Sequence, residues 1–357
     1  MTKQASNELI GVKEIARRAN VSIGTVDRVL HNRSGVSEKT RNKINQIIAE
    51  LNYQPNILAR RLASRNVLQF AVLIPAVSPE SDYWTAPIDG VLQAAAELKP
   101  FGIQVLIFLY NQNDKQTFLE QVKKVKRKKV DAVLLAPFFI DAAIEFTDEC
   151  KSAGIPFVFI NSDIPNQGSL CYIGPNLFQS GHLAAQLVNF NVPANSKILV
   201  VNISHEIKNS SFNRLLRKEE GFRAFFEKWK ISQQIIRLDI RKTSEVSVVK
   251  KISEVVQANP DLKAVFVTNS RVGSVAAAIH QQKKDDLFLV GYDYLDDNND
   301  WLRKGVIKFL ICHKPQEQGY KGIMTLYQNL VLGQAIAPVY YMPIDIVSSE
   351  NQEFYRN

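Results

Sequence analysis

The spacing of apolar residues changes near residue 67, from helical runs alone to a mixture of helical and strand-like runs. Between residues 11 and 51, apolar residues recur every three or four positions, which predicts three short helices around one small core. The three runs are Val12, Ile15, Ala16 and Ala19; Val26, Val29 and Leu30; and Ile44, Ile47, Ile48 and Leu51. Ser22 and Ser37 precede the second and third runs, where their hydroxyl groups can cap the helices.

Beyond Val67, short apolar runs alternate with longer segments of helical pattern. This alternation predicts parallel β-α-β units. The predicted strands are Leu68–Ile74, Ile103–Tyr110, Ala132–Ala136, Phe157–Ile160, Lys197–Asn202, Ile235–Ile240, Ala264–Val267, Phe288–Tyr292 and Ile307–Ile311. Such sheets bind ligands beyond the carboxyl ends of their strands, so functional residues are expected in the segments that follow each strand.

Positive charge is concentrated at the start of the chain. The 357 residues, 46% of them hydrophobic, are enough for two or three domains or lobes. Residues 1–66 contain twelve Lys or Arg and five Asp or Glu, a net charge of +7 out of +9 for the whole chain. A small domain with this excess is typical of proteins that bind a nucleic-acid backbone. A second basic run, Lys123–Lys129, precedes a predicted strand, and we interpret it as the solvated end of a helix.

The cysteines and the hydropathy pattern indicate the compartment. Cys150, Cys171 and Cys312 are far apart and lack metal-ligand spacing, so we expect small buried hydrophobic residues in a reducing cytosol. The first residues contain no apolar core of signal-peptide length, and no window approaches the roughly eighteen apolar residues that span a bilayer. A soluble cytoplasmic protein is therefore expected, with no membrane partner, no metal and no cofactor.

The segment Val21–Arg33, VSIGTVDRVLHNR, begins the second predicted helix directly after a tight turn. A helix, a turn and a second helix form the arrangement in which the second helix enters the major groove of DNA. With its apolar residues inward, this helix turns its other side chains toward solvent, namely Ile23, Gly24, Asp27, Arg28 and His31. Arg28 can donate two hydrogen bonds to guanine, and Ile23 can contact a thymine methyl group. An ordinary three-helix bundle with a basic exposed helix is the alternative.

Residues 10–64 resemble the DNA-binding headpiece of the lactose-repressor (LacI/GalR) family along their whole length. The matching motifs are the helix-turn-helix VKEIARRANVSIGTV, the third helix VSEKTRNKI and the following LNYQPNILARRLAS. Asp27 departs from the family, which usually has a small hydroxyl residue there, and its carboxylate would repel phosphate unless Arg28 or Lys13 neutralises it. The resemblance implies that the headpiece contacts DNA through Ser22, Ile23, Gly24, Thr25, Arg28 and His31.

The segment Asn56–Ser64, NILARRLAS, resembles the hinge helix of that family. So short a helix is not stable alone, so we expect it to fold only when two copies pack together on DNA. The resemblance implies DNA contacts by Asn56, Ala59, Arg60 and Leu62, with Leu62 as an apolar wedge between base pairs in the minor groove. A plain linker is the alternative.

From Leu68 to about Ile346 the chain resembles the sugar-binding fold that periplasmic ribose-type receptors share with the effector domains of this family. The expected fold is a small all-α helix-turn-helix domain followed by an α/β two-lobed domain of the type I periplasmic-binding-protein kind. The expected domains are a headpiece (1–54), a hinge (55–66) and a ligand-binding and dimerisation domain (67–347). Lobe 1 would comprise about 67–174 and 314–342, and lobe 2 about 175–313 and 343–357, with crossovers near Gly174, His313 and Pro343.

The same resemblance implies which residues line the cleft between the lobes. Tyr83 and Trp84 match two aromatic residues that the receptors place against the sugar ring, with core packing as the alternative. The other matched positions are Ala136, Asn161, Ser162, Asp163, Arg217, Lys218, Asn269, Asp293 and His313.

Several departures change the expected polarity of this cleft. Asn161 and Ser162 replace a common Asp-Arg pair. Lys218 stands where the family has an arginine, which exchanges a planar fork of donors for a point charge. Four of the residues in these segments carry or can carry positive charge, namely Lys218, Arg217, Arg271 and His313. They suggest a ligand with a carboxylate or a phosphate.

These features together predict a transcriptional regulator, foremost a repressor, whose affinity for operator DNA is controlled by a small sugar-like effector. Two headpieces must be held at half-site spacing, so we expect a homodimer on pseudo-palindromic double-stranded DNA. The alternative is a sugar-binding receptor without a DNA role. The sequence contains no nucleophile elbow, phosphate-cradling glycine loop or metal-ligand cluster, and we do not expect an enzyme.

Leu62→Ala should weaken operator binding strongly and leave effector binding unchanged, because the shorter side chain cannot wedge between base pairs. A gel-shift titration with an inverted-repeat duplex measures the first effect, and calorimetry with the effector measures the second. Unchanged operator affinity would contradict the assignment of this segment as a hinge helix.

Overall fold

The protein forms two compact units, Met1–Ser64 and Arg65–Asn357. The structure, a computed structural model, describes residues 12–30, 33–51, 53, 67–79, 81–205 and 214–357. The predicted DNA contacts at His31, Asn56, Ala59, Arg60 and Leu62 lie outside the described residues.

The described part of the smaller unit contains the three predicted helices, α1 (Val12–Ala19), α2 (Ile23–Leu30) and α3 (Glu38–Glu50). They share one apolar core, as the helical spacing predicts. Its buried side chains are Ile15, Ala16, Ala19, Val26, Val29, Ile44 and Ile47.

Two serine side chains and one turn fix where the second and third helices begin. The hydroxyl of Ser22 accepts a hydrogen bond from the N–H of Thr25 at 3.1 Å, and that of Ser37 caps the start of α3 in the same way. Between α1 and α2, Asn20 adopts φ 56°, a left-handed conformation that asparagine tolerates. The turn and the cap set the phase of α2, and with it the residues that face solvent.

The larger unit contains two sheets, with strands and helices numbered in chain order. The described strands of the first sheet are parallel and run in the order β11-β5-β4-β3-β1-β2. They are β1 (Leu68–Pro75), β2 (Ile103–Tyr110), β3 (Ala132–Leu135), β4 (Phe157–Ile160), β5 (Cys171–Gly174) and β11 (Val339–Tyr341). The helices of this lobe are α4 (Thr85–Leu98), α5 (Lys115–Lys126), α6 (Ile140–Ser152) and α12 (Pro315–Leu330).

The second sheet has the order β12-β10-β9-β8-β6-β7, and β12 is antiparallel to β10. Its strands are β6 (Lys197–Ile203), β7 (Gln234–Ile240), β8 (Leu262–Val267), β9 (Phe288–Tyr292), β10 (Ile307–Cys312) and β12 (Asp345–Val347). The helices of this lobe are α7 (Leu177–Asn191), α8 (Arg214–Lys228), α9 (Glu245–Ala258), α10 (Val272–Gln281) and α11 (Asp296–Arg303). The chain crosses between the sheets after β5, after β10 and between β11 and β12.

Strand β1 shows why the predicted strands are continuous apolar runs. Phe70, Val72 and Ile74 belong to a core that includes residues of α4 and α12, whereas Ala71 and Leu73 belong to another with residues of α5 and α6. A parallel strand covered by helices on both faces buries every residue, so no polar alternation remains. The predicted two-lobed α/β fold is confirmed.

All nine predicted strands form, with end points that differ by at most two residues. The sequence pattern does not predict β5, β11 or β12, which have only three or four residues each. Strands β11 and β12, with three residues each, are too short to show a hydrophobic period.

Two smaller predictions are also confirmed. Helix α5 ends at Lys126, so the basic run begins in the exposed last turn of a helix. Cys150, Cys171 and Cys312 are buried and free, and burial raises the pKa of all three thiols.

Helices α7 and α8 touch backbone to backbone through two glycines. A Cβ atom on Gly181 would lie 1.8 Å from the carbonyl oxygen of Lys218, and one on Gly221 would lie 1.9 Å from that of Phe178. Any larger residue would push the helices apart. The two glycines therefore set the position of α8, which carries Lys218.

Gly181→Ala should lower the free energy of unfolding of the larger unit by about 3 kcal/mol, because the added methyl group overlaps a carbonyl oxygen that cannot move alone. Denaturant unfolding measures the change. Gly24→Ala is the matched control, since the nearest atom to a Cβ there is 3.8 Å away, and it should leave the larger unit unaffected. Wild-type stability of Gly181→Ala would contradict the close packing of α7 and α8.

Candidate functional site

A cavity of about 470 Å³, including space that is open to solvent, lies between the two lobes of the larger unit. Strands from both sheets end at it, because Asn161 follows β4, Asp293 follows β9 and His313 follows β10. The predicted residues that the structure brings together at this cavity are Tyr83, Trp84, Asn161, Lys218, Asn269, Asp293 and His313.

Two aromatic side chains form the apolar side of the cavity. The rings of Tyr83 and Trp84 meet edge to face, with centroids 5.2 Å apart. Both also pack in the core of the first lobe, and Trp84 is only 2% exposed. Lining the cavity and packing in the core are therefore compatible roles for the same two rings. Burial raises the pKa of the Tyr83 hydroxyl, so it stays protonated.

Asn161 connects the two lobes. Its side-chain amide donates to the Tyr83 hydroxyl at 2.5 Å, and its amide oxygen accepts a hydrogen bond from Arg214 of the second lobe at 3.2 Å. The Arg214 guanidinium also lies 4.6 Å from the centre of the Phe138 ring. Asn161 has φ 66°, and its backbone N–H donates to Gln318 at 3.1 Å. This left-handed turn after β4 directs its side chain across the cleft.

Lys218 reaches the cavity from α8 and is 7% exposed. Its ammonium group donates to the backbone carbonyl of Thr268 at 3.1 Å and lies 3.4 Å from the centre of the Tyr292 ring. Burial lowers the pKa of Lys218, and the carboxylate of Asp293 partly offsets this effect. Lys218 is thus a desolvated basic group with a pKa lowered to about 7, held by uncharged partners, and a nearby anion would favour its protonated form.

Asp293 occupies the turn after β9 with φ 74°. The side-chain amide of Asn298 donates a hydrogen bond of 3.0 Å to the backbone carbonyl of Asp293. Burial raises the pKa of the Asp293 carboxyl, and Lys218 and Arg214 act in the opposite direction. Burial and the two nearby positive side chains therefore act on the pKa of this carboxyl group in opposite directions.

His313 and Asn269 complete the predicted part of the lining. His313 shares a hydrogen bond of 2.9 Å with the hydroxyl of Ser180. Burial holds the pKa of His313 well below its ordinary value, so the imidazole is neutral. The Asn269 amide donates to the Ile203 carbonyl at 2.6 Å, which fixes the direction of its side chain.

Two predicted residues lie away from the cavity. Ala136 is buried, and its carbonyl oxygen accepts a hydrogen bond from the Tyr110 hydroxyl at 2.7 Å. Ser162 is also buried, and its backbone N–H donates to the Ile160 carbonyl at 2.7 Å. Both residues support the strand ends from which lining residues project.

Two further predicted residues line a neighbouring pocket with about 580 Å³ of empty space. It contains Asp163 and Arg217 together with Phe178 and Tyr341. Arg217 forms an ion pair with Glu220 at 2.5 Å on the exposed side of α8. Adjacent helical residues point about 100° apart, so Arg217 and Lys218 reach different pockets.

The sequence prediction missed four polar residues of the cavity lining, Ser81, Gln112, Arg214 and Ser270. Arg214 stands four residues before Lys218, and a helix places such residues on one face. That spacing is the signal that identifies Arg214 from sequence. Ser81 and Ser270 belong to different lobes, and their hydroxyl oxygens lie 3.3 Å apart.

Helix α2 and the preceding Ser22 present a small polar and apolar surface in the smaller unit. Ser22, Ile23, Gly24 and Arg28 are exposed, and half of the Ile23 surface is accessible. Thr25 is half-buried, and its hydroxyl lies 2.9 Å from that of Ser22. An exposed isoleucine and an exposed arginine on one helix can contact a thymine methyl group and a guanine edge, respectively.

Asp27 is half-buried on the same helix. Its carboxylate lies 3.4 Å from the guanidinium of Arg33, an ion pair that the sequence analysis did not foresee. A nearby guanidinium reduces the repulsion between this carboxylate and a phosphate backbone.

None of the described helices is both long and apolar enough to traverse a bilayer. Across the same residues, His, Cys, Asp and Glu side chains form no group of three or more that could hold a metal ion.

Two family models match the chain over separate segments. The model for bacterial regulatory proteins of the lacI family matches residues 11–56. The model for the periplasmic binding protein domain matches residues 70–335, which is most of the chain. The two matches fall on the smaller and the larger unit, respectively.

Individual relatives match most of the chain. A ribose operon repressor of Halalkalibacterium halodurans is 26% identical over 79% of this chain and 80% of its own length. Catabolite control protein A of Staphylococcus xylosus is 26% identical over 74% and 83%, respectively. A solved structure from Bacteroides fragilis, assigned to the LacI transcriptional regulators, is 29% identical with a TM-score of 0.76, covering 82% of this chain and all of that one.

These matches describe regulatory and binding proteins, which confirms the expectation that the chain is not an enzyme. The smaller unit supplies a helix-turn-helix with exposed residues on its second helix, and the larger unit supplies a cavity between two lobes. The chain belongs to the family defined by the periplasmic binding protein domain, and this domain follows a helix-turn-helix domain of the lacI family of bacterial regulatory proteins.

Proposed function

We propose that this protein is a transcriptional repressor that binds a pseudo-palindromic operator as a homodimer, and that a sugar-like effector in the interlobe cavity controls its affinity for DNA. The observation that carries the proposal is the presence, in one chain, of a helix-turn-helix with an exposed Arg28 and of a cavity whose polar side chains come from two lobes. Residues 1–54 would form the headpiece, 55–66 the hinge and 67–347 the effector and dimerisation domain.

The chemistry of the cavity favours a polyhydroxylated ligand. Asn161 and Asn269 each offer an amide, and Asp293 offers a carboxyl group that accepts hydrogen bonds from hydroxyl groups. Tyr83 and Trp84 offer apolar surface suited to the C–H face of a sugar ring. The name of one relative, a ribose operon repressor, supports the same class of ligand.

Contacts between the lobes supply a route for control. Arg214 reaches Asn161 across the cleft, and Ser81 reaches Ser270. A ligand that contacts both lobes favours the lobe arrangement in which those contacts are best. It changes DNA affinity only by its differential affinity for the arrangements that do and do not bind the operator.

The DNA-binding part of the proposal requires two copies. A single short recognition helix reads one half-site, and a two-fold dimer reads a pseudo-palindrome. Ser22, Ile23, Gly24, Thr25, Arg28 and His31 would contact the major groove. The hinge would contact the minor groove through Asn56, Ala59, Arg60 and Leu62.

A two-step experiment tests the proposal. A thermal-shift screen of sugars, sugar acids and sugar phosphates identifies ligands of the larger unit. Each ligand is then added to a fluorescence titration of an inverted-repeat duplex at several salt concentrations. A regulator should bind the duplex in a salt-dependent manner and change affinity with the ligand. A receptor without a DNA role would bind the ligand and show no preference for the duplex.

Arg28→Ala should weaken binding to the operator about tenfold to a hundredfold and change binding to a scrambled duplex much less, because a bidentate contact to guanine contributes roughly 1–3 kcal/mol of discrimination. Fluorescence anisotropy measures both affinities. Arg303→Ala, which removes the same charge from the exposed end of α11, is the control. An equal loss on both duplexes would show that Arg28 contacts only the backbone.

Asp293→Asn should reduce effector affinity about tenfold or more. The substitution replaces a charged carboxylate, which accepts hydrogen bonds from ligand hydroxyl groups, with a neutral amide that has one acceptor oxygen fewer. Asparagine also tolerates the left-handed backbone at this position, so the fold should remain. Calorimetry with the ligand found in the screen measures the loss, and Asp300→Asn on the exposed face of α11 is the control. Wild-type affinity in Asp293→Asn would remove this carboxyl from the site.

A further inference from the structure

The positive side chains of the cavity come from one face of α8. Arg214 and Lys218 are four residues apart, so successive helical turns place them side by side. Both line the cavity, and among the described residues that line it, Asp293 is the acidic one. The lining therefore presents two cationic side chains and one carboxyl group.

The direct partners of these two cations are uncharged. Lys218 contacts the Thr268 carbonyl and the Tyr292 ring. Arg214 contacts the Asn161 amide oxygen and the Phe138 ring. A cation that is removed from water and held by neutral groups is costly unless an opposite charge approaches it.

The start of α7 adds to the positive potential. Leu177, the first residue of this 15-residue helix, lines the cavity together with the preceding Pro175. The amino end of a helix carries a partial positive charge and favours anions. Asp293 would repel an anionic group, so it favours an orientation in which that group lies toward Arg214 and Lys218.

We propose that the effector is a monosaccharide-sized polyol with one anionic group, a carboxylate or a phosphate, that binds Arg214 and Lys218. Asn161, Asn269 and Asp293 then bind its hydroxyl groups. This inference rests on the proposed function, since it names the chemical class of the effector at the same cavity. Asp293 offsets one of the two positive charges, so a neutral sugar would leave an excess of positive charge in the lining once the cavity excludes water.

The experiment compares matched ligands on the full chain. Calorimetry measures the dissociation constants of D-glucose, D-glucuronate and D-glucose 6-phosphate, of D-galactose, D-galacturonate and D-galactose 6-phosphate, and of D-ribose, D-ribonate and D-ribose 5-phosphate. In at least one series, an anionic member should bind tenfold or more tightly than its neutral parent. Comparison of the sugar acids with the sugar phosphates shows which anionic group the cavity prefers.

Three variants locate the effect. Lys218→Gln should remove most of the preference for the anionic ligand, and Lys218→Arg should retain it because the charge is kept. Arg217→Gln is the matched control, since it removes the same charge from the next residue, which lines the neighbouring pocket, and it should leave the preference unchanged. If Lys218→Gln does not fold, Arg214→Gln provides the same test from the adjacent turn.

Distinct outcomes overturn distinct claims. Neutral sugars that bind as tightly as their anionic counterparts would overturn this inference and leave the proposed function intact. A loss of preference in Arg217→Gln equal to that in Lys218→Gln would also overturn it, because the charge would then act through the general field of the protein. Absence of binding by all nine compounds would contradict both the inference and the proposed function.

Discussion

Close packing between α7 and α8 determines what the cavity presents to a ligand. The carbonyl oxygens of Lys218 and Phe178 occupy the space that side chains at Gly181 and Gly221 would need. The two backbones are therefore in direct contact, and α8 has little freedom to slide or rotate. Arg214 and Lys218 reach the cavity from that helix, so their positions depend on a contact made by residues without side chains. The polar lining is in this sense a consequence of helix packing.

The cavity also joins the two lobes. Asn161 bonds to Tyr83 within the first lobe and to Arg214 of the second, while Lys218, Asn269, Asp293 and His313 come from the second lobe alone. A ligand that bonds to both sets changes the relative stability of different lobe arrangements. If two such chains hold two helix-turn-helix domains at half-site spacing, the lobe arrangement and the DNA affinity become linked.

Much of the fold is readable from the sequence because strong periodic signals repeat along the chain. Nine strands show their apolar runs, whereas β11 and β12 have only three residues each and depend on neighbouring strands that only the folded protein provides. In the smaller unit, the caps at Ser22 and Ser37 are local interactions, so the sequence predicts them directly.

The residues that line the cavity are harder to predict, because the direction of each side chain decides whether it reaches the cavity. Arg217 and Lys218 are neighbours in sequence, yet only Lys218 lines the cavity, and Arg214, one turn earlier, was missed. Ala136 and Ser162 follow strands as expected, but their polar groups are used by the backbone and the strand ends. Resemblance to a family identifies the correct segments, while helical phase and local hydrogen bonds select the residues within them.

Reciprocal linkage provides the most direct test of the central claim, that the cavity and the helix-turn-helix are coupled. The affinity of the inverted-repeat duplex is measured with and without saturating effector, and the affinity of the effector is measured with and without saturating duplex. Coupling requires that the two affinities change by the same factor, which differs from one. Effector affinity that is identical on free and DNA-bound protein would contradict it.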